Sequence, residues 1–262
     1  WHPASFTPRM QPPLSRGFFA AITALVVSIA PAARAATVYI SSAAGASTNT
    51  IASYTDSGTY NGSFATSGMN SPRGMVRDSG GNIYVANQSG NTIGKYDSSG
   101  NFLGNFATGL NNPYYLAMDG SGNLYVSNRG TNQVLRYSAT GTLLGVFAST
   151  NLNGPQGLAF DSSGNLLVVN NAAASNSIQK FDSAGNYIGA FATGLNRPYD
   201  VTLDSSGNVF VSNSGNHTIQ KFSSSGTNLG NFISSGLNLP TGLAFDAAGN
   251  LYVASYNLSN VQ

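Results

Sequence analysis

The 262-residue chain contains neither cysteine nor glutamate. The first absence excludes a disulfide framework, a thiolate metal site and a cysteine nucleophile. The second leaves nine aspartates as the only acidic side chains. Charge is scarce altogether, at 8% of residues, and histidine occurs only at His2 and His217. No stretch carries a long helical period. The 31 glycines and 41% hydrophobic residues instead predict many short strands joined by tight turns, an all-β chain.

The formal charge of +2 suggests a basic surface, but Arg9, Arg16 and Arg34 all precede residue 36. Beyond it, eight basic side chains face nine acidic ones, so the basic balance belongs to the N-terminal segment. That segment has an uncharged run from Gly17 to Ala30, preceded by Arg16 and followed by Pro31 and Ala33-Arg34-Ala35. A positive start, a short apolar stretch and an A-x-A site form the pattern of a secretory signal peptide, cleaved before Ala36. The run is short for a spanning helix, which needs roughly 20 residues. Met10 opens a leader of conventional proportions and is the expected start. Residues 1–35 are therefore read as leader and 36–262 as the folded domain, extracytoplasmic (periplasmic or secreted) and bacterial, with no transmembrane helix in the mature chain.

From Ala36 onward the chain repeats itself. The segment Gly157 to Asn170 recurs with small changes from Gly74, Tyr115, Asp200 and Gly242, each copy following a proline: Pro72, Pro113, Pro155, Pro198 and Pro240. A period between about 40 and 45 residues with four strands per unit belongs to propeller blades. Within one unit the strands read Leu158–Phe160, Leu166–Val169, Ile178–Phe181 and Tyr187–Ala192. Between the first two, Asp78, Asp119, Asp161, Asp204 and Asp246 each precede a glycine by three residues, which makes them turn formers rather than catalytic acids. The hairpin between strands three and four repeats this with Gly100, Gly141, Gly185 and Gly226. Phe64, Phe106, Phe147, Phe191 and Phe232, each two residues after a glycine, are expected to pack blade on blade.

Residues 36–70 supply only strands two to four, four full units follow, and residues 239–262 supply two strands and begin a third. The expected architecture is a β-propeller of four-stranded blades, six-bladed with a truncated C-terminus, in which a lost final strand completes the N-terminal blade.

The unit from Pro198 to Phe222, with Asp204, Gly207, Asn208, Val211 and Ser214-Gly215-Asn216-His217-Thr218-Ile219-Gln220-Lys221-Phe222, resembles the NHL repeat, and the resemblance extends over residues 36–262. It implies a propeller and says little about activity, because one fold carries many functions. The family commonly has aspartate at the end of strand two. Here Asn87, Asn128, Asn170 and Asn213 stand there, which lowers any expectation of metal binding at those positions. His217 matches the histidine of the repeat's name and aligns with Asn91, Asn132 and Asn176, so a structural role is expected of it.

In propellers of this kind ligands commonly meet the face carrying the loops into strand one and between strands two and three, where these repeats differ most. The candidate binding residues there are Arg73, Tyr114, Tyr115, Arg129, Arg197, Tyr199 and Asp200. Arginine and tyrosine are over-represented at binding hot spots. The plainer alternative is that Arg197 and Asp200 form a solvated pair of small energetic value. No catalytic residue, metal ligand or cofactor is assigned. The leading functional expectation is a binding or scaffold propeller for a protein, peptide or glycan. The rivals are a propeller lyase or lactone hydrolase, rebuilt from Asp200 and tyrosines, and an RNA binder using Lys95, Arg136, Lys180 and Lys221. Four outward charges on an almost neutral exported chain argue against nucleic acid.

Overall fold

Each short apolar run ends at an aspartate–glycine turn, and the chain folds accordingly into antiparallel sheets in the computed structural model, which describes residues 22–28, 37–42, 49–172, 175–257 and 260–262. In the Asp161 turn, the carboxylate Oδ1 accepts from the backbone N–H groups of Ser163 and Asn165 at 2.9 Å each, and Gly164 takes a φ of +79°. The Asn165 amide donates to Oδ2 at 2.9 Å. Burial works to raise the Asp161 pKa, but the Lys180 ammonium and the Asn165 donors outweigh it and hold it below the ordinary value. Asp78, Asp119, Asp204 and Asp246 accept in the same way from Asn82, Asn123, Asn208 and Asn250. All five act as turn formers, as expected.

Among the described residues six sheets result: five of four strands and one of three. Their inner strands, Ile22–Ser28, Pro72–Arg77, Pro113–Met118, Pro155–Phe160, Pro198–Leu203 and Pro240–Phe245, pack side by side in sequence, and the last returns to the first. The chain is a six-bladed β-propeller. The second strands of blades two to five, such as Leu166–Asn170 and Val209–Asn213, are buried along their whole length and form the middle of the blade. Each fully buried Leu or Ile there contributes roughly 1.5–3 kcal/mol.

The first blade takes Thr37–Ser42, Thr50–Thr55 and Tyr60–Ala65 from the three-strand stretch read in the sequence. Its inner position, however, is filled by Ile22–Ser28, antiparallel to Thr37–Ser42 from Ile22↔Ser42 to Ser28↔Thr37, rather than left for a lost C-terminal strand. The run that reads as a leader's apolar stretch contains Ile22, Thr23, Val26 and Val27, and β-branched residues suit a pleated strand equally well. The Met10 start and the cleavage before Ala36 lie outside the described residues.

The strand-four phenylalanines pack as edge-on partners of strand-two aromatics: Phe64 on Tyr39, Phe106 on Tyr84, Phe147 on Tyr125 and Phe232 on Phe210. The next blade's hairpin closes over four of them. A Cβ at Gly100, Gly141, Gly185 or Gly226 would meet the carbonyl oxygen of Phe64, Phe106, Phe147 or Phe191 at 3.0 Å or less. Phe232, whose following blade is the three-stranded one, is 45% exposed. Among the described residues no helix is long and apolar enough to cross a membrane.

Candidate functional site at the channel mouth

The residue after each blade proline stands at one mouth of the central channel: Arg73, Tyr114, Gln156, Tyr199 and Thr241. They are unequal in size, and the large ones meet across the axis. The Tyr114 and Tyr199 hydroxyls, from blades three and five, lie 3.1 Å apart, with ring centroids at 5.7 Å. Arg73, from blade two, lies close enough for its charge to oppose the rise in the Tyr199 pKa, and either hydroxyl can donate in the Tyr114–Tyr199 bond. Burial, followed by the neighbouring Tyr114, drives the Tyr199 pKa well above its ordinary value.

Two guanidiniums sit against one ring. Arg73 lies 5.2 Å and Arg129 5.6 Å from the Tyr114 centroid, within cation–π range. The Arg73 Nε donates to Gln88 Oε1 at 2.5 Å. Arg129 starts a 3-10 turn, Arg129–Thr131, and its Nε is buried with no hydrogen-bond partner. A buried donor left unpaired costs roughly 1–3 kcal/mol, more when charged, so this atom is costly to the free protein.

One residue deeper, the mouth is packed by shape. The second residues after the prolines are Gly74, Tyr115, Gly157, Asp200 and Gly242, two side chains among three glycines. A Cβ on Gly74 would stand 2.6 Å from the Tyr115 Cα, and one on Gly157 would stand 2.6 Å from Asp200 Oδ1 and 2.7 Å from its Cα. Tyr115 from blade three thus reaches Asp200 in blade five over a bare backbone, and its hydroxyl donates to the carboxylate. Asp200 Oδ1 also accepts from the Val201 N–H at 2.8 Å, and Oδ2 from the Leu243 N–H of blade six at 2.9 Å. Asp200 is 4% exposed. Burial pushes its pKa up to about 7, against the pull of the Leu243 and Val201 amides and the Tyr115 hydroxyl. Burial and the nearby Asp200 in turn drive Tyr115 well above the ordinary phenol range.

Of the seven residues the sequence pointed to, six converge. Arg197 does not: it is exposed, with a φ of +49°, and its carbonyl accepts from Ser214 N–H and Oγ. The solvated Arg197–Asp200 pair does not form, because Asp200 turns inward to the Leu243 amide three residues past the next proline. Gln88 was missed. Its only signal was its place in the loop after strand two, and its role depends on Arg73 reaching it from another strand.

Residues 195–222 match the NHL repeat family. The chain carries an NHL repeat. This stretch contains the Pro198–Phe222 unit. No curated protein matches the chain in sequence. Among solved structures, the propeller is similar to one in a nidogen/laminin complex, with a TM-score of 0.74 at 18% identity, covering 86% of this chain and 87% of that one. A gluconolactonase from Xanthomonas campestris aligns with a TM-score of 0.74 at 19% identity over 90% of this chain and 84% of its own. Virginiamycin B lyase from Staphylococcus aureus aligns with a TM-score of 0.67 at 18% identity, over 90% and 78%. At these identities the likeness concerns the fold.

The histidine of the NHL repeat has a visible task. His217 Nδ1 accepts the Leu239 N–H at 2.9 Å, tying the loop of the next blade. Asn91 and Asn132 do the same with Oδ1, accepting from Asn112 and Gly154 at 2.8 Å, and all three tying residues have φ between +53° and +60°. Asn176, after the insertion in blade four, makes no such tie and leaves its Oδ1 buried and unpartnered. We predict that His217→Asn keeps the thermal stability of the chain, while His217→Ala lowers it by about 1 kcal/mol, read by chemical denaturation. Equal losses in both variants would contradict a tying role.

The buried asparagines at the ends of the second strands hold loops in the same way. Asn87, Asn128, Asn170 and Asn213 accept from the backbone N–H seventeen residues earlier, at 2.7–3.2 Å. Asn170 also donates to the Asn151 carbonyl at 2.7 Å, a bond that an aspartate could not make. The aligned strand-three cations are likewise engaged. Lys95 and Lys221 lie 5.2 and 4.9 Å from the rings of Tyr84 and Phe210, Arg136 is 6.0 Å from Phe147, and Lys180 pairs with Asp161 at 2.8 Å.

Proposed function

We propose that the protein is an exported NHL propeller acting as a non-catalytic binding or scaffold module for a protein or peptide, engaged at the mouth built by Arg73, Tyr114, Arg129 and Tyr199. The observation that carries the reading is the cross-axis contact of Tyr114 with Tyr199 under two arginines. It sets two guanidiniums over a tyrosine pair, one buried and one half-buried, so that the mouth presents cationic donors on a rigid aromatic base. Such residues concentrate binding energy at protein interfaces. The nidogen propeller was solved in complex with laminin, which supports carrying a protein-binding role over to this architecture. The leader pattern of Arg16, the apolar run and Ala33-Arg34-Ala35 supports export, against the placement of Ile22–Ser28 as the inner strand of the first blade, which cleavage before Ala36 would remove.

The lyase and lactonase neighbours favour an enzyme, but the groups such chemistry needs are occupied here. Both Asp200 oxygens accept backbone amides, and His217 Nδ1 caps a loop. The test is a thermal-shift screen of the full chain against peptides, glycans, lactones and metal ions, with and without a chelator, followed by product analysis of the lactones. The binding reading expects a chelator-insensitive rise in Tm with peptides, about 2.7 kcal/mol of added stability at a hundredfold excess over Kd, and no turnover. Lactone turnover that collapses in Asp200→Asn would overturn it.

A further inference from the structure

Resting on the binding reading above, we infer that the mouth selects an acidic peptide segment, whose carboxylate is held between Arg73 and Arg129. The argument starts from charge. The ion pairs among the described residues are Lys180 with Asp161 and Lys221 with Asp204, so neither mouth arginine has an acid partner. The one carboxylate beneath them, Asp200, faces away into the Val201 and Leu243 amides and the Tyr115 hydroxyl. Two guanidiniums within 5.2 and 5.6 Å of the same ring centroid therefore present positive charge that nothing in the mouth neutralises.

The geometry of Arg129 points to a carboxylate in particular. Its Nε is buried and lacks an acceptor, and a guanidinium offers Nε–H and Nη–H as a side-on fork that matches the two oxygens of a carboxylate. Arg73 has already given its Nε to Gln88, so it contributes charge and its remaining donors. Binding a carboxylate supplies the missing acceptor and compensates both charges at once.

A peptide fits better than an acidic sugar because no aromatic face is left for a ring to stack on. Tyr114 is covered by the two guanidiniums, by Tyr115 stacked at 28° and 6.3 Å, and by the edge of Tyr199. What the surface still offers is donors, which an extended chain with an acidic side chain can use without stacking.

The experiment is an NMR titration of the ¹⁵N-labelled full chain, following arginine Nε–H signals. The Arg129 signal is assigned by its loss in Arg129→Lys, and thermal denaturation shows that this variant stays folded. The probes are a blocked peptide alternating glycine and glutamate, its glutamine counterpart, digalacturonate and inorganic phosphate. The expected result is a saturable shift of the Arg129 Nε–H with the glutamate peptide alone. Affinity, read in the variants from backbone amide shifts of the same ¹⁵N-labelled chain, should drop at least about tenfold in both Arg129→Lys and Arg73→Gln and weaken with salt. Equal binding of the glutamine peptide overturns the acid selection and leaves the binding reading standing. Tighter binding of digalacturonate or phosphate overturns the peptide assignment. If no probe moves the signal, the inference fails, and the peptide screen of the preceding section decides the binding reading on its own.

Discussion

Stability of the chain is expected to peak near pH 4, decline as the pH rises to about 7, and level off beyond it. The cause is Asp200, whose pKa is raised from an ordinary 3.8 to about 7 by burial. Between those two values the folded state holds a proton that the unfolded state has released, so each pH unit removes stability. Fully present below about pH 4 and lost by about pH 7, the contribution is on the order of 4 kcal/mol, or roughly 10 °C in Tm for a chain of this size. The turn aspartates act with the opposite sign. Asp78, Asp119, Asp161, Asp204 and Asp246 are held below 3.8. Their stabilisation is complete above that value and is lost as the pH falls through their lowered values. Urea denaturation from pH 3 to 9, in wild type and Asp200→Asn, checks the assignment. The difference between the two curves should slope between pH 4 and 7 and flatten above. A constant difference across that range would show that Asp200 ionises normally.

Gly157→Ala is expected to destabilise the propeller by about 3 kcal/mol, although alanine is the smallest possible addition. The new methyl would stand 2.6 Å from Asp200 Oδ1, 2.7 Å from its Cα and 2.9 Å from the Val201 nitrogen. Two of these atoms are backbone, so relief requires blades four and five to separate, and the Asp200 bonds to Val201 and Leu243 weaken with them. The matched control is Gly120→Ala, where nothing lies within 4 Å of the added atom and φ is not positive. Chemical denaturation of the two variants should separate them by at least about 2 kcal/mol. Similar stabilities would mean that the inner strands are not packed as tightly as described.

The local elements were legible because their causes are local. The Asp161–Gly164 turn closes on its own backbone and on Asn165, so a window of five residues contains both partners. The strand-two run Leu166–Val169 shows as continuous apolar sequence because both of its faces are buried. His217 could be assigned a structural role by aligning it with Asn91 and Asn132, and the three do share one hydrogen bond. The strand-one limits were legible only in part: Pro155 to Phe160 form the strand, three residues longer than read from Leu158, because the proline end pairs across a register shift with Asn170.

The site followed a different rule. Its residue types were visible, but whether Arg197 or Arg73 meets the tyrosines depends on partners 85 residues apart, as in the Tyr114–Tyr199 contact. Whether Asp200 is a solvated ion or a buried acid depends on Gly157 and Leu243, which belong to neighbouring blades. The occupant of the first blade's inner position was equally undetermined, since an apolar, β-branched run suits both an export leader and a strand. By itself, then, the sequence determined the repeat, the turns and the blade count, all set by interactions within about 45 residues. The tertiary structure decided which polar side chains are buried, paired or left unpaired, because only closing the ring brings together the charges and surfaces that set those energies.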